Sequence, residues 1–425
     1  MALLLIILFV LILLGIPVAY ALGLSSLFYF LVVSPDFTIA LPQRFFSGMD
    51  AYALIALPLY ILMGQVMNAS GVTSRLVDFS LVFVGRLRGG TGLVNVLASM
   101  LFGGISGSSA SDTASLGSIL IPEMERRGYP KDVAAGITVA SSTMGMIIPP
   151  SIPMIIYAVA AQQSVGRLFL GGLIPGVLVA VFQLALTLGL SYQRGYPRED
   201  SHFSLRRALI EGKRALWILV MPAFVVGAVV FGIATATESA GLGVLYSLGI
   251  GFLITRRLKL SKLYYALRSS ILMSAKIMTI IALSQVFIWV LALEHVPDGI
   301  ALVVTNLDLP PIILMLVIAS IILVIGTFID VSPAILLLTP VFLPVVIQSG
   351  ISEVLFGVVL VSGLAIGACT PPVGNCLNVC SVVSGLRIGT IFLAAAPFLL
   401  ANVIVLTLII VFPELVLWIP SLVMD

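Results

Sequence analysis

Charged side chains are scarce in this sequence. Of its 425 residues, 21 are Lys or Arg and 18 are Asp or Glu, so that 9% are charged, whereas soluble globular proteins carry about 25%. Hydrophobic residues make up 60% of the chain. This composition leaves too little polar surface for a water-soluble fold and too much apolar sequence for a disordered chain. It predicts a polytopic membrane protein, and the net charge of only +3 gives no reason to expect nucleic acid as a partner.

Histidine and cysteine are also rare, which limits the chemistry available to the chain. The two histidines are His202 and His295, and the three cysteines, Cys369, Cys376 and Cys380, fall in one apolar segment. We therefore expect neither a disulfide framework nor a transition-metal site. The sequence contains no G-x-x-x-x-G-K-[ST] phosphate loop and no Ser/His/Asp nucleophile set. We expect no enzymatic activity, no cofactor and no transport driven by ATP unaided.

Long apolar segments run along the whole chain, and they exceed the strands of about ten residues found in membrane barrels. Helices are the expected solution in lipid, because a helix satisfies its own backbone polar groups. No basic residue precedes the first apolar segment, which we interpret as a retained span and not a cleaved signal peptide. At about 20 residues per crossing, the predicted spans are 2–15, 16–33, 50–71, 132–163, 166–193, 214–233, 235–255, 271–293, 352–384 and 388–412.

Two further apolar segments, 91–125 and 309–347, are interrupted by small polar residues and are predicted to be re-entrant helical hairpins. Basic residues concentrate on the cytoplasmic side of membrane proteins, and they flank the first segment at both ends. The loop 294–310 has acidic residues and no basic one, which places it outside. The first hairpin therefore enters from the cytoplasm and the second from the periplasm. The same count of crossings places the C-terminus in the periplasm.

This topology gives each half about five transmembrane helices plus one hairpin, and an odd number of crossings inverts the second half relative to the first. The predicted fold is therefore an all-α polytopic membrane protein of two inverted repeats. Internal similarity supports the repeat. Alignment of the two halves pairs Asp112 with Asp330 and, after one four-residue gap, pairs Pro149-Pro150 with Pro371-Pro372.

The double prolines are the clearest local feature. Pro149-Pro150 and Pro371-Pro372 each interrupt a predicted span, because proline lacks a backbone donor and clashes with the preceding turn. Unwound backbone at membrane depth needs protein, water or an ion to satisfy its polar groups. Interrupted helices at matching places in two halves indicate the binding site of a transporter.

The tips of the two predicted hairpins are rich in oxygen ligands. The segments 103–113 and 326–333 combine glycine carbonyls, hydroxyls and one carboxylate each, Asp112 and Asp330. Such an environment suits a hard cation such as Na⁺. Each tip also begins a helix, whose N-terminus favours an anion. A carboxylate substrate could therefore sit beside the tips, with cations held by the broken backbone.

Structural roles for the same residues remain open. Asp112 and Asp330 stand where helix N-terminal caps are found, and Glu238, three residues after Thr235, reads as a purely structural capping box. The serines considered as substrate contacts could instead line close helix contacts. The cysteines are expected to serve as small apolar packing residues.

At the tips and breaks the sequence resembles the large membrane subunit of tripartite ATP-independent periplasmic (TRAP) transporters, of the DctM/SiaM type, and it is similar to the sialic-acid branch. The resemblance covers essentially the whole chain. Its specific motifs are Gly-Ile-Ser-Gly-Ser-Ser-Ala-Ser-Asp (104–112), Met-Gly-Met-Ile-Ile-Pro-Pro-Ser (144–151), Thr-Ala-Thr-Glu-Ser-Ala (235–240) and Cys-Thr-Pro-Pro-Val-Gly (369–374).

The resemblance implies Na⁺-coupled uptake of sialic acid or a C4-dicarboxylate across the bacterial inner membrane. It implies two partners, a small four-helix membrane subunit of the DctQ/SiaQ type and a periplasmic substrate-binding protein. Substrate contacts are expected at Ser108, Ser151 and Asp330. The Na⁺ ligands that it implies are Ser106, Gly107, Ser108, Asp112 and Gly145 in one half, and Gly326, Thr327, Asp330, Gly367 and Thr370 in the other.

The resemblance also implies an elevator mechanism, in which a transport domain holding both hairpins moves against a scaffold. On that basis the chain divides into five parts. These are the scaffold helices and arm of repeat 1 (1–90), the first hairpin and broken helix (91–193), a cytoplasmic linker (194–213), the scaffold helices and arm of repeat 2 (214–308), and the second hairpin and broken helix (309–425).

Three other functions are compatible with the residues. A stand-alone ion-coupled dicarboxylate symporter would share the hairpins but need no binding protein. A channel also accommodates re-entrant hairpins, but it cannot concentrate a solute. An intramembrane enzyme would need a catalytic pair in one cavity, which Asp112 and Asp330 could imitate.

Overall fold

The computed structural model describes residues 2–196, 205–296, 299 and 309–424, and this part of the chain contains α-helices but no β-strand. Short 3-10 turns at Pro35–Ala40 and Tyr52–Ile55 join helices in the first half. The α-helices of that half are α1 (Ala2–Leu13), α2 (Val18–Val32), α3 (Leu41–Ser47), α4 (Ala56–Ala69), α5 (Val72–Val84), α6 (Gly90–Ser106), α7 (Ser109–Arg126), α8 (Lys131–Ser142), α9 (Met144–Ile147), α10 (Ile152–Ala160) and α11 (Val165–Gln193).

The second half repeats the hairpin and the broken helix. Its described helices are α12 (Leu205–Val230), α13 (Ala236–Gly249), α14 (Leu260–Leu293), α15 (Pro311–Phe328), α16 (Val331–Gln348), α17 (Glu353–Gly367), α18 (Asn375–Ser384), α19 (Ile388–Val411) and α20 (Glu414–Met424). Eight described helices are long and apolar enough to cross a membrane, and the pair Lys131–Ile147 with Ile152–Ala160, bent by 42°, would add a ninth. The predicted all-α polytopic class is confirmed.

Both predicted hairpins and both predicted breaks are present. α6 packs against α7 and α15 against α16, and the breaks separate α9 from α10 and α17 from α18. The hairpins also interlock with the opposite repeat, because α7 contacts α18 and α16 contacts α10. α8 packs against α19 in addition. The two halves therefore share one packed core around the breaks.

Several predicted boundaries differ from the structure. The predicted span 2–15 forms α1, whose 12 residues extend about 18 Å and are too short to cross a core of about 30 Å. The predicted linker 194–213 is shorter, because α12 already begins at Leu205. Linker residues 197–204, including His202, lie outside the described residues, as do 297–298 and 300–308 of the predicted outer loop.

The second half contains two further differences. The predicted span 271–293 forms only the later part of α14, which is one unbroken helix of 34 residues that begins at Leu260. Its sequence contains neither glycine nor proline, so nothing local interrupts it. The C-terminal helix α20 was not predicted, and it packs against α11.

One constant offset relates the two hairpins and the helices that follow them. α7 begins at Ser109 and its counterpart α16 begins at Val331. α8 begins at Lys131 and its counterpart α17 begins at Glu353, and the separation in sequence is the same for both pairs. The predicted gap between the tips and the breaks is therefore wrong, and so is the pairing of the two acids. In the structural register Asp330 corresponds to Ser108, and Asp112 lies one helical turn further along its helix.

Candidate functional site

The tip of the first hairpin is tight and buried. α6 ends at Ser106, Gly107 turns the chain with a φ of 62°, and α7 begins after Ser108. A positive φ of this kind suits glycine, which has no Cβ to collide with the backbone. The Ser106 hydroxyl donates a hydrogen bond to Asp112 Oδ1, and its oxygen accepts one from the Ser108 N–H at 3.2 Å.

Asp112 is fully buried, and one of its carboxylate oxygens is left for a ligand. Oδ2 has no hydrogen-bond partner in the described part of the chain. The hydroxyls of Ser109 and Thr113 are likewise buried without partners there. The spacing of these three residues places them on one face of the first turn of α7. An unsatisfied buried carboxylate oxygen is costly, so this cluster fits a bound cation.

The first break supplies the opposite wall of this site. A Cβ on Gly145 would collide with Asp112 Oδ2, so only glycine allows the carboxylate to lie this close to the break. Carbonyl oxygens of the break also approach the tip: those of Pro149 and Pro150 lie 3.1 Å from ideal Cβ positions on Gly104 and Gly107 respectively. The first break therefore packs against the tip along both Gly104 and Gly107, and it faces the carboxylate at Gly145.

Ser151 closes the first break as a helix cap. Its oxygen accepts a hydrogen bond from the Met154 N–H at 3.3 Å, and its hydroxyl donates to the Met146 carbonyl. The side chain is fully buried. The predicted substrate contact at Ser151 thus has no free hydroxyl in this conformation, whereas Ser108 is half-buried at the tip.

The second tip has the same plan with different partners. Asp330 caps α16, because its Oδ1 accepts from the Val331 N–H at 3.0 Å, and Asn375 Nδ2 lies 3.4 Å from the same oxygen. The Thr327 carbonyl accepts from the Val373 N–H at 3.1 Å. The second tip is therefore joined to the second break, in which Pro372 is exposed and which ends where α18 begins at Asn375.

Gly326 and Gly367 set the distance between the second hairpin and its broken helix. An ideal Cβ on Gly367 would lie 2.6 Å from the Gly326 Cα. The Thr370 hydroxyl, in the break just after α17, donates to the Ile366 carbonyl in the last turn of that helix at 3.0 Å. In the first half, Gly103 meets Gly145 in the same way, at 3.1 Å from ideal Cβ to Cα. The two halves thus share a glycine contact between hairpin and break.

The two carboxylates are not equivalent. Asp112 is fully buried and reaches back across the tip to Ser106, whereas Asp330 is exposed and caps its own helix. The capping interpretation is therefore correct for Asp330 and wrong for Asp112. It is also correct for Glu238, which forms a complete capping box with Thr235.

A buried polar cluster that sequence reasoning missed connects the two repeats beside the first site. Gln183 Nε2 donates to Asn402 Oδ1 at 2.7 Å and to the Ala140 carbonyl at 2.9 Å. Asn402 Nδ2 donates to Thr143 Oγ1 at 3.0 Å. The cluster holds the last turn before Gly145 against α11 and α19. The sequence did contain one signal for this cluster, since two amide side chains stand in otherwise apolar spans.

Replacing these amides should weaken the fold. We expect Gln183→Leu and Asn402→Leu each to lower the free energy of unfolding by about 1–2 kcal/mol, since each leaves buried polar groups without a partner. The double variant should lose less than the sum of the two, because the partners interact directly. Thermal unfolding in detergent measures this, with Thr407→Val as the control, since that exposed hydroxyl bonds to the Val403 carbonyl of its own helix. Additive losses would contradict a coupled cluster.

The cysteines pack between the second broken helix and α8. Cys369 Sγ lies 3.4 Å from the Val139 carbonyl and Cys380 Sγ lies 3.8 Å from the Ala135 carbonyl. All three thiols are free and buried. Their contacts are those of small packing residues with weak S–H donors.

Paired hairpins facing paired broken helices within a polytopic helical fold define a secondary transporter class. A family model described as "Tripartite ATP-independent periplasmic transporter, DctM component" matches residues 5–415. The chain belongs to this family, as the sequence motifs predicted. It is therefore a multi-pass transporter permease and not an enzyme, as predicted.

Two curated relatives with a related assignment match over most of their lengths. The chain is 37% identical to the C4-dicarboxylate TRAP transporter large permease protein DctM of Pseudomonas aeruginosa, over 94% of each chain. It is 33% identical to the sialic acid TRAP transporter large permease protein SiaM of Vibrio cholerae, over 96% of this chain and 95% of the relative. Among solved structures, the Alcanivorax borkumensis YdaH transporter matches with a TM-score of 0.62 and 16% identity, over 89% of this chain and 88% of that one. This last likeness concerns the fold alone.

Proposed function

We propose that this permease is the large transmembrane subunit of a Na⁺-coupled transporter that imports an organic carboxylate, with sialic acid and C4-dicarboxylates as the candidate substrates. It would lie in the bacterial inner membrane with its C-terminus in the periplasm. A small four-helix membrane subunit and a periplasmic substrate-binding protein would complete the system. The names of the relatives support a small organic anion as substrate.

The observation that carries Na⁺ coupling is the free Oδ2 of the buried Asp112. A cation between this oxygen and the carbonyls of the first break would neutralise the buried charge and satisfy the hydroxyls of Ser109 and Thr113. All of these ligands are oxygens, as Na⁺ prefers. Ser109 and Thr113 therefore join the predicted set of Ser106, Gly107, Ser108, Asp112 and Gly145.

The second cation would bind at the exposed tip, near Asp330, Thr327 and Thr370, with backbone oxygens at Gly326 and Gly367. The exposure of Asp330 leaves this tip accessible to the substrate. A substrate carboxylate beside it would meet the N-termini of α16 and α18, which Asp330 and Asn375 bring together. Binding of the cation would then favour binding of the anion, because each reduces the electrostatic cost of the other. The elevator movement of the hairpins is part of this proposal.

An uptake experiment tests the proposal. Proteoliposomes would contain this chain and its small subunit, with the binding protein outside and an inward Na⁺ gradient. We expect radiolabelled sialic acid, or failing that a C4-dicarboxylate, to accumulate only when both Na⁺ and the binding protein are present. Accumulation without the binding protein would favour a stand-alone symporter. Equilibration without accumulation would indicate a channel, and accumulation with a proton gradient alone would refute Na⁺ coupling.

A further inference from the structure

A polar pocket separate from both cation sites lies where the end of α4 meets the start of α14. Its volume is about 560 Å³. Polar and basic side chains line it together with the backbone at Gly71, and these side chains are Gln65, Asn68, Lys262, Tyr265 and Ser269. The pocket is open to the outside of the protein, and nothing in the proposed transport cycle uses it.

The charge around this pocket is positive. The Arg257 side chain covers Gly71, where an ideal Cβ would lie 3.1 Å from the guanidinium Nη1. Lys262 and Arg257 are both exposed, and within the described part of the chain neither makes an ion pair. α14 and the segment 255–259 contain no acidic residue. A cationic pocket of this kind complements an anionic group.

Further basic side chains stand behind the pocket. Burial lowers the pKa of Arg75, and so do the nearby charges of Arg257 and Arg214, against the opposing effect of Glu211. Glu211 is paired with Arg214 at 2.8 Å, so that it offsets only part of the local positive charge. The mutual repulsion of these guanidinium groups would be relieved by a bound anion.

The surroundings of the pocket are those of a membrane interface. Tyr264 and Tyr265 are 63% and 65% exposed, and Tyr265 lines the pocket together with Lys262. Tyrosines with lysines at the end of a span are typical of the headgroup level. The pocket is therefore placed where a lipid headgroup can reach it.

We propose that this pocket binds the headgroup of an anionic phospholipid, with its phosphate on Lys262 and Arg257. Basic pockets between transmembrane helices bind such headgroups. The site also adjoins the first hairpin, because Asn68 Nδ2 donates to Ser115 Oγ on α7 at 2.8 Å. A bound lipid would therefore lie next to the contact between α4 and the first hairpin.

Native mass spectrometry of the purified full chain tests this site without any transport assay. The probes are phosphatidylglycerol and phosphatidylcholine with identical acyl chains. We expect wild type to retain phosphatidylglycerol preferentially, and Arg257→Gln/Lys262→Gln to bind it about 30-fold more weakly, since two basic contacts are removed. Arg268→Gln is the matched control, because this residue lies six positions after Lys262, about 240° around α14, and should bind like wild type.

Four outcomes would overturn the lipid assignment. These are equal retention of the two lipids by wild type, undiminished phosphatidylglycerol binding by the double variant, equal weakening by Arg268→Gln, and displacement of the lipid by inorganic phosphate at the same concentration. Addition of the small subunit should leave the bound lipid in place. If the small subunit displaced the lipid, the pocket would be a contact surface for that partner instead. Because uptake is not the readout, failure here is separate from failure of the proposed transport function.

Discussion

Replacing Asp112 with asparagine is expected to lower the initial rate of Na⁺-driven uptake by at least about 100-fold, equivalent to roughly 2.8 kcal/mol. The substitution preserves the size of the side chain and an acceptor for the Ser106 hydroxyl. It removes the buried negative charge and places an NH₂ group or a neutral oxygen where the free Oδ2 faces Gly145. A cation bound there would lose its only charged ligand, and a donor in its place would repel it. Uptake of the radiolabelled substrate into proteoliposomes measures the effect.

Asp132→Asn provides the matched control, since this acid also lies in the first turn of a helix, α8, but away from the tip. It should leave uptake within about twofold of wild type, equivalent to roughly 0.4 kcal/mol. Asp112→Ala and Asp330→Ala extend the test to both tips. Normal uptake by both alanine variants, with the protein folded in detergent, would refute the cation sites. Loss of uptake accompanied by a large fall in Tm would instead show that Asp112 stabilises the folded protein and that the loss of uptake follows from unfolding.

The second large effect is expected at the glycine contact of the other repeat. Gly367→Ala should lower the free energy of unfolding by about 3 kcal/mol, the upper end of the usual cost of overpacking. The new methyl group would lie 2.6 Å from backbone atoms of Gly326, and backbone atoms cannot move aside as a side chain can. The hairpin would have to separate from the broken helix. Thermal unfolding of the purified protein in detergent measures the change.

Gly389→Ala is the control for this substitution. Gly389 lies in the first turn of α19, and among the described residues no atom beyond its own helix backbone and its chain neighbours lies within 4 Å of its ideal Cβ position. Alanine there should be neutral or stabilising by up to about 1 kcal/mol, because it favours the helix. If Gly367→Ala proved as stable as Gly389→Ala, the close approach of α15 and α17 would be wrong.

The hairpins and breaks were predictable because their causes are local. A double proline stops a helix wherever it occurs, and the glycine and serine residues of the tips permit only a short turn. Register was harder to predict, because it depends on where each helix begins. The conspicuous match of Asp112 with Asp330 suggested a four-residue gap, whereas the helix starts at Ser109 and Val331 require none.

The continuity of the helices was also not predictable from the sequence. Hydropathy placed the start of a span at residue 271, but α14 passes through that point because no residue breaks its backbone. The helix α20 was missed for a related reason. Its role depends on packing, since Val416 contacts Gly171 of α11, where an ideal Cβ would lie 3.2 Å away. Contacts of this kind join residues far apart in the chain and leave no local pattern.

The sequence by itself determined the polytopic helical class, the family, the two hairpins and the two breaks, because composition and proline position act through short-range physics. Only the tertiary structure decided which carboxylate is buried. Asp112 and Asp330 look alike in sequence, yet one faces a glycine across a closed tip and the other caps an exposed helix. Burial and ligand geometry arise from the packing of distant segments, so they became visible only once the hairpins met the broken helices.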